Sequence, residues 1–493
     1  MSINNFNVIG KAIYVKTPSN RSHYKNADSI SYPNRYLATK DVIQNKVDPI
    51  INFNLYDNWR SDSVYTNVNT SDNVIDMIIM IWRGLVFDSG WLGEATLGGG
   101  NNYTVEGGTK TVKAWMGPNS GSGITIQFWG ERDYATNFHS IIHEFGHWLF
   151  GPDHPYQSDW GGYLDEHAFW GMLRHSSDGI CANAYEREQV GWITPTTITG
   201  EISDASMNDF VTTGAAYKYH PSNGSGNEYY YFENHQQLSI YDNATRNTTD
   251  KGILILHFQD KYKEQNNIRC RTSNGDWNWE LPFNSTSCFN QLLPAFRMVG
   301  KNRYGRNSRD FLPLGTGYYF GLFDLVDNNN YVSCAGYEYG EASNNSFNTS
   351  YNRIFAPWSN PSSHTWDNQE TNFQMQVLSN GNTAHVHFYL GNMVVTENTT
   401  LPSDTYNFTG NVTIASNVTL TIAAGSTINF TNGTQLIVNG TLTANGVTFT
   451  RSGSSGTWGG IQFNSGSSGG VQYCNINYAN VGIYCNNTSS PTI

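Results

Sequence analysis

The chain has 493 residues, a formal net charge of −12, 14% charged residues and 14% aromatic residues. That length exceeds what one hydrophobic core organises, so two to four domains are expected. The negative balance argues against nucleic acid as a partner, no apolar run is long enough for a membrane-spanning helix, and six cysteines are too few to scaffold so long a chain.

The opening residues, MSINNFNVIGKAIYVK, lack a charged start followed by an apolar core, so no signal peptide is legible. A polar but weakly charged composition rich in Gly, Asn, Ser and Thr nevertheless suits a secreted or cell-surface protein, and the chain reads as a fragment of one. Residues 1–195 form a mixed α/β unit in this reading. Residues 8–16 and 75–82 look like buried strands, and 123–130 (GITIQFWG) alternate with period two, as a strand at a sheet edge or bordering a cleft does. Such a strand can pair with an extended peptide. Two acidic, Asn-rich stretches, DNWRSD and NVNTSDN, raise calcium as a second cofactor. No twelve-residue ligand pattern supports it, and solvated loops are expected there.

Residues 135–149 place Phe138, Ile141, Ile142, Phe145, Trp148 and Leu149 at helical spacing, and Gly151-Pro152 ends the run. On that helix His143 and His147 lie one turn apart on one face, so both imidazoles can reach one metal. Glu144 follows the first histidine, completing H-E-x-x-H. This pattern places a zinc ion beside a carboxylate that serves as general base for water attack on a peptide carbonyl.

Catalytic zinc takes three protein ligands. In the long motif H-E-x-x-H-x-x-G-x-x-H the third falls ten residues after the first, which here is Asp153, with His154 next. The motif's glycine position holds Phe150, and Gly151 comes one place late. Strict counting favours Asp153, one inserted residue favours His154, and Glu166 and His167 stand further on as candidates.

Residues 196–390 alternate strands with Asn/Gly/Ser turns, as a β-rich unit packed behind or beside the first does. Its aromatic residues suit β cores, or a sugar platform. The last hundred residues change character: short V/I/L-T runs over 412–414, 418–422, 427–430, 435–438 and 447–449 are separated by tight polar turns, a solenoid pattern. It resembles the right-handed parallel β-helix of pectate-lyase-like proteins. No cluster of Asp with Arg or Lys accompanies it, so a stalk, attachment or glycan-contact role is expected rather than lyase chemistry. Cys270 with Cys288, Cys181 with Cys334, and Cys474 with Cys485 are conceivable disulfides that spacing alone does not decide, beside free buried thiols.

Taken with its flanks, the zinc helix resembles the immune inhibitor A type of secreted bacterial metallopeptidase, a metzincin-related group. That family's helix runs into a Gly-Leu-Pro-Asp turn. Here Phe150-Gly151-Pro152-Asp153 keeps Pro and Asp, which favours Asp153. FWGML (169–173) resembles the methionine turn below the metal, with Met172 as its methionine, and AYEREQVGWI (184–193) resembles the segment closing the catalytic domain. NVIDMIIMIWRG, EYYYFENHQ and GILILHF are similar to the family's core strands, over roughly residues 8–390. The resemblance implies a secreted zinc endopeptidase acting on protein or peptide substrates, with Tyr185 or His175 as candidate donors to the oxyanion.

The expected architecture is therefore multidomain: an α/β (α+β) metzincin-like zinc peptidase domain over 1–195, a β-rich domain over 196–390 and the start of a right-handed parallel β-helix over 391–493. The rival reading is a surface adhesin or glycan-binding protein whose peptidase domain has decayed. Retention of His143, Glu144 and His147 speaks against it.

Overall fold

Three apolar layers built on β-strands organise the described residues. The computed structural model describes residues 10–24, 32–59, 69–83, 93–115, 121–128, 134–150, 172, 181–224, 226–239, 251–259, 268–271, 273, 348–349, 352–359, 361–367 and 369–493.

In the first layer, two helices, α1 (Arg21–Tyr24) and α2 (Tyr32–Val42), precede a three-stranded sheet. Its members are β1 (Ile78–Arg83), β2 (Gly93–Glu94) and β5 (Gly123–Phe128), and the hairpin of β3 (Tyr103–Val105) and β4 (Lys110–Val112) lies between β2 and β5 in the chain. β1 runs parallel to β5 and β2 antiparallel on its other side. β5 is therefore the central strand, not an edge, and β2 takes the flank expected of it. Residues 10–17 form no strand, contrary to the expectation for 8–16: only Val15 packs on a core, while Tyr14 is 85% exposed.

The second layer is a sandwich. One sheet orders β11 (Ile268–Cys270), β10 (Gly252–Gln259), β9 (Glu228–His235), β8 (Ala216–Tyr219) and β6 (Thr196–Thr197). The other orders β12 (Ile354–Phe355), β13 (Phe373–Ser379), β14 (Thr383–Leu390) and β7 (Ile202–Asn208). Ile253, Ile255, Tyr230 and Phe232 meet Phe355, Phe373, Met375 and Phe388 between the sheets. The opposite face of the first sheet, through Leu254, Leu256 and Phe258, buries Cys181 and Ala184 at the start of helix α4 (Ala184–Gln189). Burial on both faces explains why GILILHF is a continuous apolar run rather than an alternating one.

Downstream the chain winds into a three-faced parallel β-solenoid. One face stacks Met393–Val395, Val412–Ile414, Gln435–Val438, Gly460–Phe463 and Ile483–Cys485. The second stacks Thr399–Leu401, Thr419–Ile422, Thr441–Asn445, Ser468–Gln472 and Ser490–Thr492, and the third Thr405–Phe408, Thr427–Phe430, Thr448–Arg451 and Asn475–Ile476. All neighbours are parallel and in register, so like residues stack: Ile428 on Phe449, Phe430 near Phe408, and Trp458 flat on Phe430 at 4.9 Å. Cys474 and Cys485 are free thiols. The Cys474–Cys485 bridge does not form, because Cys485 lies on the first face and Cys474 at the corner between the second and third. Cys288 and Cys334 lie outside the described residues, and the side chain of Cys270 is likewise not described.

A solenoid leaves its end layer of apolar side chains open unless something covers it. Trp358, from the loop after β12, packs on that layer with its ring edge-on to Phe408 at 6.1 Å. Trp358→Ala should therefore lower solenoid stability by about 2–3 kcal/mol, somewhat less than a fully buried Trp deletion. A urea midpoint of the β-sheet circular dichroism unchanged from wild type would deny Trp358 this capping role.

Candidate metal centre

Helix α3 (Tyr134–Phe150) follows β5 and lies over its face: Ile141 and Trp148 cover Ala95, Ile124 and Ile126. Its next apolar stripe, Ile142, Phe145 and Leu149, turns toward Met172, Ala182, Val190 and Trp192. With two faces packed, the helix cannot rotate, and the histidine face is held where the sheet and the α4 segment leave it. The Nε2 atoms of His143 and His147 lie 3.1 Å apart, with the rings nearly perpendicular at 86°. Two ligands about 2.0–2.1 Å from one tetrahedral zinc would stand roughly 3.3 Å apart. The pair therefore fits a shared metal ion. Glu144, adjacent in the chain, is buried, as is His147.

Below the helix the floor is tied by a residue whose role the motifs did not reveal. Met172 is buried beside Ile142 and Leu149, and its backbone N–H donates to Glu186 Oε2 at 2.9 Å. The same oxygen accepts from the N–H of Asn183 at 3.1 Å, and Asn183 Oδ1 accepts from the N–H of Glu186 at 2.9 Å, a reciprocal cap on α4. Glu186 thus joins the methionine segment to the α4 start. Arg187, fully buried, donates to Ala182 O at 2.9 Å and Cys181 Sγ at 2.9 Å and lies 4.2 Å over the ring of Phe210. Glu233 of β9 accepts from the N–H of Ala184 at 2.6 Å and contacts His235 at 2.8 Å. These bonds lock the floor of the centre to the sandwich.

The opposite wall is organised by two aspartates. Trp148 Nε1 donates to the backbone oxygens of Asp76 (2.9 Å) and Gly121 (3.1 Å), and its ring meets that of Trp59 at 4.5 Å with a 47° tilt. The Asp76 carboxylate accepts from the N–H groups of Asn58 and Trp59. Asp57 is buried rather than solvated. It binds the Lys110 ammonium, which also contacts Ser71 (3.3 Å) and Asn73 (3.2 Å). A lysine therefore sits where the acidic stretches suggested calcium. Burial pushes the Asp57 carboxyl up, but Lys110, Ser71 and the N–H of Asp72 outweigh it and hold the group below its ordinary range.

Asp76 goes the other way: burial, with repulsion from Asp57 and Asp72, outweighs its two N–H donors and pushes the carboxyl up to about 6. A folded-state value above the unfolded one means the folded chain holds the proton more tightly. The resulting stability is complete below the ordinary value of 3.8 and lost as pH rises through about 6. Against an Asp76→Asn reference, wild-type stability should therefore decline between pH 4 and 6.5. A constant difference in urea midpoint across that window would contradict this.

Of the residues singled out by sequence, the structure brings His143, Glu144, His147 and Met172 together around α3. The Tyr185 ring is stacked on Phe258 at 4.2 Å and meets Tyr231 edge-on at 6.1 Å, within the core shared with the sandwich. Asp153, His154, Glu166, His167 and His175 lie outside the described residues, as does the rest of FWGML. Among the described residues no group of three or more metal-ligating side chains converges. Glu186 and Lys110 escaped the motif reading because their partners are distant in sequence. The only local signal was Asn183 three residues before Glu186, a capping-box spacing.

Residues 101–265 match the family model described as gametolysin peptidase M11. The chain thus carries a peptidase domain of a metallopeptidase family, and the match runs from β3 through α3 and α4 beyond β10. The family matched is gametolysin, not the immune inhibitor A type that the motifs resemble. No curated protein and no solved structure matches the chain.

Proposed function

We propose that this protein is a zinc-dependent endopeptidase that works outside the cytoplasm. The observation that carries the reading is the convergence of His143 and His147 Nε2 atoms, 3.1 Å apart, beside the buried carboxylate Glu144 on a helix inside the matched peptidase domain. His143 and His147 would hold the metal, with a third ligand from Asp153 or His154. Zinc bound there would polarise the scissile carbonyl and acidify the attacking water. Glu144 takes the water's proton and then delivers it to the leaving amine, so one carboxylate serves both halves of the reaction. β2 lies antiparallel to β5 at the sheet flank, and an extended peptide can pair with such a strand. The nearly charge-free, Asn/Thr-rich solenoid suits an exported or surface-bound enzyme.

Casein hydrolysis by the full chain should be abolished by a zinc chelator and return when zinc is added back, with one zinc per chain by elemental analysis. A chain that binds no zinc would favour the adhesin reading.

A further inference from the structure

The hydrogen bonds of Asp76 join segments that are distant in the chain. Its N–H donates to Tyr56 O at 2.9 Å, and its carboxylate accepts from the N–H groups of Asn58 at 3.0 Å and Trp59 at 3.3 Å. Its main-chain oxygen accepts from Trp148 Nε1 at 2.9 Å. One residue, just before β1, thus holds both the 56–59 turn and helix α3.

Trp148 is where these ties meet the helix. Its indole N–H also reaches Gly121 O, and β1 and β5 begin their parallel pairing at Ile78 and Gly123. The indole therefore pins α3 to the starts of both strands and fixes its roll against the sheet. The ring stacks on Phe145 at 5.5 Å and meets Trp59 at 4.5 Å, and Trp59 is the residue whose N–H the Asp76 carboxylate holds.

The helical repeat carries this anchor to the metal centre. Trp148 directly follows His147 and stands four residues after Glu144, so it shares a helix face with that carboxylate. Helical side chains lean toward the N-terminus, which lays the indole over the turn that carries Glu144. At the outer radius of a helix, a roll of about 10° moves a side-chain tip by about 1 Å. Metal–ligand distances tolerate only about 0.2 Å. His143 and His147 would move together, away from any ligand held off the helix.

We infer that Asp76 is a positioning residue for the metal centre: through Trp59 and Trp148 it sets the roll of α3, and with it the affinity for zinc. The inference rests on the metallopeptidase reading and deepens it. A need for stability does not account for a carboxylate here, because burial pushes its pKa up to about 6 and its ionised form weakens the fold at neutral pH.

The test is a competitive zinc titration of the full chain at neutral pH, with near-UV circular dichroism of the same samples. Asp76→Ala and Trp59→Ala should each weaken zinc binding about tenfold, the lower end for residues standing behind metal ligands. Asp76→Asn keeps one acceptor oxygen and should weaken it about threefold. The spectral difference between wild type and Trp59→Ala gives the signature of the paired indoles, and Asp76→Ala should reproduce it. Trp59→Ala leaves the Asp76 main chain untouched, so it decides the matter even where Asp76→Ala fails to fold. Wild-type zinc affinity in either alanine variant overturns the inference. Weakened binding in Asp76→Ala with the indole signature intact also overturns it, since the effect would not run through Trp59. Wild type that binds no zinc would sink the metallopeptidase reading as well, whereas equal binding by wild type and variants sinks this inference alone.

Discussion

Glu144→Gln should keep its zinc and lose peptidase activity by about 10²- to 10⁴-fold, the range contributed by a positioned general base. The amide is nearly isosteric with the carboxylate, and helix α3 is fixed by packing on β5 and on the Met172 cluster rather than by this side chain. The histidine pair should therefore keep its spacing, and zinc content should stay at the wild-type level. The loss should fall on kcat more than on KM, since Glu144 acts on protons that move only during the reaction. Full activity in a zinc-loaded Glu144→Gln protein would remove Glu144 from the mechanism and leave the metal site without its base. By contrast, His147→Ala should lose both activity and zinc, so the two variants separate binding from chemistry.

Glu186→Ala should lower the stability of the peptidase unit by about 3 kcal/mol, a large fraction of the total stability of a typical domain. The side chain is 1% exposed and one oxygen accepts from two backbone N–H groups, those of Met172 and Asn183. Alanine would leave both donors buried without an acceptor, at about 1–3 kcal/mol each, and would remove half of the reciprocal cap on α4. Glu186→Gln keeps one acceptor oxygen in place and should recover roughly half of the loss. Because Met172 packs directly against Ile142, next to His143, the alanine variant should also bind zinc more weakly. An alanine variant with the urea midpoint and zinc affinity of wild type would show that the Met172 segment is held by something else.

The parts of this molecule that were legible in sequence share one property: their determinants are local. The α3 helix declared itself through six apolar positions at helical spacing, and its histidines through a four-residue interval. Both are consequences of the α-helical repeat and need no distant partner. The solenoid strands at 412–414, 427–430 and 435–438 fall where the alternation put them, because each coil buries its own inward residues. The strand at 441–445 was missed because TLTAN, with Ala at one inward position, reads as a turn. The buried strand expected over 8–16 shows the opposite limit: residues 10–16 form none, because an apolar stretch makes a strand only where a neighbouring strand supplies hydrogen bonds.

Sequence by itself determined the H-E-x-x-H helix, the β-rich middle and the solenoid, since each follows from periodicities of 3.6 or 2 residues and from turn chemistry. It also determined the neutrality of the last hundred residues, because composition needs no coordinates. Only the tertiary structure decided that β5 is central, that Asp57 pairs with Lys110 instead of a free cation, and that Glu186 holds Met172. It alone revealed that Trp358 closes the solenoid. Each of these depends on groups 14 to 53 residues apart in the chain. Such pairs meet because burial and hydrogen-bond satisfaction are settled over the whole fold, and no local pattern encodes which distant donor will find which acceptor.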